Sequence, residues 1–238
     1  MNKRGSTHIE MVLTFVFFIA AVGFAFYLFN PFQSERELSS TNYLLRNVIE
    51  SLESEVDTYN VLISESSLPE GQTAAVIKVD FNRDLEGLNF SITNYSGYPL
   101  PFRTSGNLIY FNWEKGLGRL ITVRASDAIN SIILDPSIDI SSAVEYYLLS
   151  SWQRSSIVSQ DKAASLIERY NADYPGLKQA LNISQMNDFS FNITKSNLTS
   201  IQERKALKNV KVGSESQLVE FITLDGNITF VEVSVKIW

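Results

Sequence analysis

"KRGSTHIEMVLTFVFFIAAVGFAFYLFNPF", Lys3 to Phe32, sets a basic pair and a five-residue polar stretch ahead of an uncharged run. The run is 19 residues long, Met11 to Phe29, and its only polar side chains are Thr14 and the Tyr27 hydroxyl. As a helix it would measure about 28 Å, close to the ~30 Å hydrocarbon core of a bilayer, so it reads as a membrane-spanning segment. Lys3 and Arg4 precede it, while Glu35, Arg36 and Glu37 follow it. Basic residues stay on the cytoplasmic side, which predicts a single-pass membrane protein with a cytoplasmic N-terminus and an extracellular head. Ala21-Val22-Gly23 offers a small-x-small cleavage site, and a cut there would release a secreted protein. Phe24 to Phe29 stays apolar beyond that point, however, and would leave a greasy new end.

Lys3-Arg4-Gly5, Ser6-Thr7-His8-Ile9-Glu10 and the apolar run together resemble the class III signal peptide of type IV pilin-like proteins, archaeal ones in particular. The resemblance covers about the first 32 residues. It implies that a prepilin peptidase cuts after Gly5, makes Ser6 the new first residue and leaves the apolar helix to pack in a filament core. Glu10 is then the fifth residue of the mature chain. Ser6 in place of the phenylalanine of bacterial members bears on N-methylation more than on cleavage. The physical chemistry of the segment agrees. A new α-amino group at Ser6, with an ordinary pKa near 7.7–8.0, stays mostly charged at neutral pH. It lies four residues from Glu10 on one helix, within reach in the same or a neighbouring subunit. Alternatively Glu10 marks a hydrated interface. His8 reads as an interfacial polar residue.

Asn30-Pro31 predicts an end or kink in this helix, and Ser34-Glu35-Arg36-Glu37 a capping box that starts another. Leu45, Ile49, Leu52, Val56, Tyr59 and Ile63 follow at spacings of three and four, a stripe for one amphipathic helix on its own domain or for a coiled-coil seam. From Thr73 to Arg124 the period becomes two, giving about four strands with Gly/Pro turns. Residues 126–186 read as more helical, with a capping box at Ser142 and Glu145. Phe189, Phe191 and Ile193 suggest another strand. Gln217 to Leu224, Asp225-Gly226 and Asn227 to Trp238 read as a hairpin with a type I′ turn.

The expected class is therefore α+β: a long N-terminal membrane helix, then an exoplasmic head with an antiparallel sheet and several helices. Its expected divisions are a leader (1–5), a transmembrane or filament-core helix (6–30), a stalk helix (31–68), a β-rich part (69–126) and an α/β part ending in the hairpin (127–238).

Net charge is −6, or −8 once Lys3 and Arg4 are removed, which argues against nucleic acid as a partner. With no cysteine and a single histidine beside the apolar run, thiol catalysis and a Ser-His-Asp constellation in the head are excluded. No metal cluster, phosphate loop or dinucleotide fingerprint is present, so neither an enzyme nor a cofactor is expected. Six Asn-x-Ser/Thr sequons, at Asn89, Asn94, Asn182, Asn192, Asn197 and Asn227, are candidate glycosylation sites. Asn89 and Asn192 are expected to point away from the apolar faces of their strands.

The function read from the sequence is a pilin-like structural subunit of a cell-surface filament. The expected partners are the membrane, the prepilin peptidase, and further copies or other pilin-like subunits. The alternative is a membrane-anchored envelope or assembly factor that never polymerises.

Overall fold

A computed structural model describes the backbone of residues 4–29, 31–65, 68, 70–81, 83, 85, 87–130, 133–195, 198–202 and 210–238, with side chains at 11–25 and, within those ranges, at 40–194 and 210–238. Two helices open the chain, α1 (Arg4–Phe29) and α2 (Pro31–Leu52). Strands β1 (Glu53–Ile63), β2 (Ala74–Asp80), β3 (Asn89–Asn94), β4 (Phe102–Ser105), β5 (Leu108–Glu114), β6 (Leu120–Ser126) and β7 (Tyr147–Ser159) follow. After them come α3 (Gln160–Ala172), α4 (Tyr174–Ala180), β8 (Phe189–Lys195), β9 (Leu198–Gln202), β10 (Gly213–Ile222) and β11 (Ile228–Ile237).

The α+β expectation is overturned. Strand outweighs helix, 44% against 29%, and seven strands curl into a half-barrel. The larger sheet runs β3-β6-β1-β7-β10-β11-β8-β9, and β2-β5-β4 forms a second, smaller one. Nor is the large sheet wholly antiparallel: β10 joins β7 in parallel at Phe221↔Val158 and Ile222↔Ser159.

The membrane and transmembrane-helix expectations are also overturned, and with them the single-pass membrane localisation. Among the described residues, no helix is long and apolar enough to cross a membrane. The described side chains of the apolar run extend from Met11 to Ala25. The side chains of Phe26 to Phe29 and of the Ser34–Glu37 box lie outside the described residues.

Two differences from the sequence reading reshape the head. The expected stalk helix ends at Leu52, and the chain passes without a loop into β1. Val56, Thr58, Tyr59, Val61 and Ile63 are β-branched or aromatic, which suits a pleated surface packed on both sides. The junction is fastened from across the sheet. Ser54 Oγ donates to Ser159 Oγ at 3.1 Å, and Lys162 Nζ donates to the Glu53 carbonyl. The second difference is β7, a 13-residue strand within the segment read as helical. The box at Ser142 resolves into a three-residue 3-10 turn capped by Asp139, whose carboxylate accepts from the Ser141 amide.

Register assigns each buried face its partner. Leu44, Leu45, Val48, Ile49 and Leu52 of α2 pack with Leu166 and Tyr170 of α3, Leu177 of α4 and the valines of β11. Tyr170, Tyr174, Phe189 and Phe191 form an aromatic group there, with edge-on pairs at 5.1–5.4 Å. Tyr59, Val61 and Ile63 of β1 pack with Ile121 and Val123 of β6 against Phe111 and Trp113 of the small sheet. Val56, Ile157 and Ile222 make a third cluster with Ala128 and Ile129. Because Val56 and Tyr59 lie three apart on a strand, alternation sends them to opposite faces. So β1 is buried on one side near its start and on the other near its end.

Candidate functional site

The apolar run of α1 is largely exposed. Its large side chains from Met11 to Ile19, and Phe24, are 50–74% exposed. They point in every direction around the axis, with no polar face to turn to water, and such a helix belongs in a packed interior. An exposed apolar surface of this extent marks an interaction site. α2 carries this helix into the head, where one face of its last three turns is buried in the largest core and the chain continues as β1.

The residues expected to govern processing and assembly lie at the start of α1. Lys3 lies outside the described residues; Arg4, Gly5, Ser6 and Glu10 belong to the α1 backbone, while their side chains lie outside them. The helix spans both Ser6 and Glu10, so the offset of four residues on one helix is present.

The sequons separate by environment. Asn94 is 8% exposed, and its Oδ1 accepts from the amides of Ser96 and Tyr98. Asn89 Nδ2 donates to the Ile129 carbonyl at 2.6 Å. In Asn192 the nitrogen donates to Thr194 at 3.0 Å, while Oδ1 is buried without a partner. Asn227 Nδ2 donates to Asp225 Oδ2 at 2.7 Å. Both strand asparagines expected to face outward are therefore half-buried, with their amide nitrogens engaged. Asn182, just past α4, is exposed with φ 56°, and Asn197 lies outside the described residues.

One charged constellation was not visible in the sequence. A cleft of about 480 Å³ is lined by Glu50, Glu53, Glu55, Asp127 and the pair Asp57–Arg154. Arg154 grips Asp57 with both arms of its guanidinium, Nε to Oδ1 and Nη2 to Oδ2, each at 2.8 Å. The Asp57 side chain is 3% exposed and that of Arg154 49%. These hydrogen bonds hold the Asp57 carboxyl below its ordinary range, although burial alone would raise it, and the carboxylate in turn raises Arg154. Arg83 lies over the Trp152 ring at 3.9 Å. Glu55 reaches Arg154 at 3.4 Å. A tied carboxylate in this state is a structural anchor, and it holds no proton to donate at neutral pH. Among the described residues no group of three His, Asp or Glu side chains is placed to hold a metal ion.

No family model, curated protein or solved structure matches the chain.

Proposed function

We propose that this chain is a pilin-like structural subunit of a cell-surface filament, polymerised through its N-terminal apolar helix. One observation carries the reading: from Met11 to Ala25 α1 is apolar around its whole circumference, and its large side chains from Met11 to Ile19, with Phe24, are exposed. Identical helices packed side by side shelter that surface, while α2 and β1 hold the head outside the bundle. In this reading prepilin peptidase cuts after Gly5, and the Ser6 amino group neutralises Glu10 in the packed helices. That pairing favours one vertical register between helices, since a single offset brings amine and carboxylate together.

Filament yield is the test. Negative-stain imaging of surface material, labelled with antibody against the head, should show filaments, and N-terminal sequencing should start at Ser6. Phe17→Glu places a charge amid the exposed apolar surface and should abolish filaments, while tryptophan fluorescence of the head stays unchanged. Glu10→Leu should also reduce yield, although it makes the helix more apolar. Equal filament yield from wild type and Phe17→Glu at matched protein levels would overturn the reading.

A further inference from the structure

We infer that Asn182 is the sequon that carries N-linked glycan. The inference rests on the filament-subunit reading, because the chain must reach the glycosylating surface of the cell. Attachment forms a bond between the asparagine Nδ2 and C1 of an oligosaccharide activated on a lipid phosphate. The C1–O bond breaks, the phosphate leaves with the electron pair, and the amide gives up one proton. The finished fold must leave both the acceptor and the emerging sugar in solvent.

Among the described sequons, Asn182 alone meets that demand at both ends, since Asn182 and Ser184 are each exposed. Asn182 makes no side-chain hydrogen bond among the described residues, unlike Asn89, Asn192 and Asn227, whose nitrogens are donated elsewhere. At the Asn89 sequon the hydroxyl is lost as well: Ser91 is 6% exposed and donates to the Asp225 carbonyl at 2.7 Å. Asn94 is itself buried. Backbone geometry also lifts Asn182 out of the fold. It is the one non-glycine with positive φ among the described residues, a left-handed cap that closes α4 while the Ile183 amide returns to the Lys178 carbonyl at 2.8 Å. Asparagine tolerates that conformation better than most side chains. The following loop is open to water, with Met186 96% exposed. Asn47 of α2 donates to the Leu181 carbonyl at 2.9 Å, so the sugar would stand beside α2 where the head takes over from the helix.

Peptide mass spectrometry of protein from its native cells tests this directly. Occupancy at Asn182 should exceed that at Asn89, Asn94, Asn192 and Asn227 at least tenfold. Ser184→Ala keeps the asparagine and its cap but removes the sequon hydroxyl, and should lose the Asn182 glycan; Asn182→Gln should do the same. Thr194→Ala, which destroys the Asn192 sequon, should leave the glycan mass unchanged. A bare Asn182, or comparable occupancy at any of the four others, overturns the inference. Filaments built from chains bare at Asn182 would refute this site and leave the subunit reading standing. A glycosylated Asn182 in cells without filaments would do the reverse.

Discussion

Breaking the Asp57–Arg154 pair from its two ends should have unequal costs. Asp57 is 3% exposed on β1 and Arg154 49% exposed on the neighbouring β7, although they are directly opposite in the register. Asp57→Asn keeps the shape and removes the charge. Arg154 then recovers water on its exposed side, so the loss is close to one charge-assisted hydrogen bond, about 2 kcal/mol. For a chain of this size that lowers the melting temperature by about 4–8 °C. Arg154→Ala leaves the Asp57 carboxylate, 3% exposed in the intact pair, without its bidentate partner, and removing one partner of a buried pair costs about 3–5 kcal/mol. Adding Asp57→Asn to Arg154→Ala should therefore restore stability, because it removes the stranded charge. The pH dependence has a definite sign. With its pKa lowered by folding, Asp57 contributes stability above the unfolded value near 4, and the contribution fades as pH falls through the folded value. Asp57→Asn should flatten that acid limb. Urea unfolding of the full chain, followed by tryptophan fluorescence between pH 3 and about 7, measures both effects. An Asp57→Asn cost equal to or above that of Arg154→Ala would refute the burial argument.

Three further measurements probe other parts of the head. Gly226 sits at φ 81° in the β10–β11 turn, and an added Cβ would lie 2.3 Å from the Ser91 Cβ, so Gly226→Ala should cost more than about 1 kcal/mol in urea unfolding. Ser159→Ala removes the α3 cap that accepts from the Lys162 amide, and with it the bond to Ser54, and should cost about 1–2 kcal/mol. Burial pushes the Tyr174 hydroxyl up to about 12 from its ordinary 10.0, so its contribution is complete below pH 10 and lost as pH rises toward 12. Tyr174→Phe should reduce that alkaline loss in a pH series of unfolding midpoints.

Short-range signals in the sequence translated well into structure. The alternation of Phe189, Phe191 and Ile193 marks β8, and α3, capped by Ser159, falls within the segment read as helical. The hairpin at Asp225-Gly226 forms, but not with the expected turn. Gly226 alone takes positive φ there, and its amide donates to the Thr223 carbonyl at 2.9 Å. That geometry fits a type I turn closed by a left-handed glycine, a form one Gly suffices to build. The Asp57–Arg154 pair had no such local signature. Its members stand 97 residues apart and meet because two strands choose one register.

The misread stalk shows why periodicity failed at the junction. Leu45, Ile49 and Leu52 keep their helical spacing and are buried in one core. Val56, Tyr59 and Ile63 continue the same spacing on a strand, where three residues reverse the face and four preserve it. In a strand covered on one side that pattern would leave an apolar residue in water. β1 avoids this because cover exists on both sides: the third cluster takes Val56, and the small sheet takes Tyr59 and Ile63. A strand buried on both faces need not alternate, so its apolar positions can imitate a helix. β7 fails in the opposite sense. It pairs along β1 through nearly its whole length but meets β10 at two residues only. From Leu148 to Ser156 it is almost wholly exposed, so no buried face imposes a pattern there. Hydrogen bonding to β1, set by distant residues, then decides the conformation where hydrophobic spacing is silent.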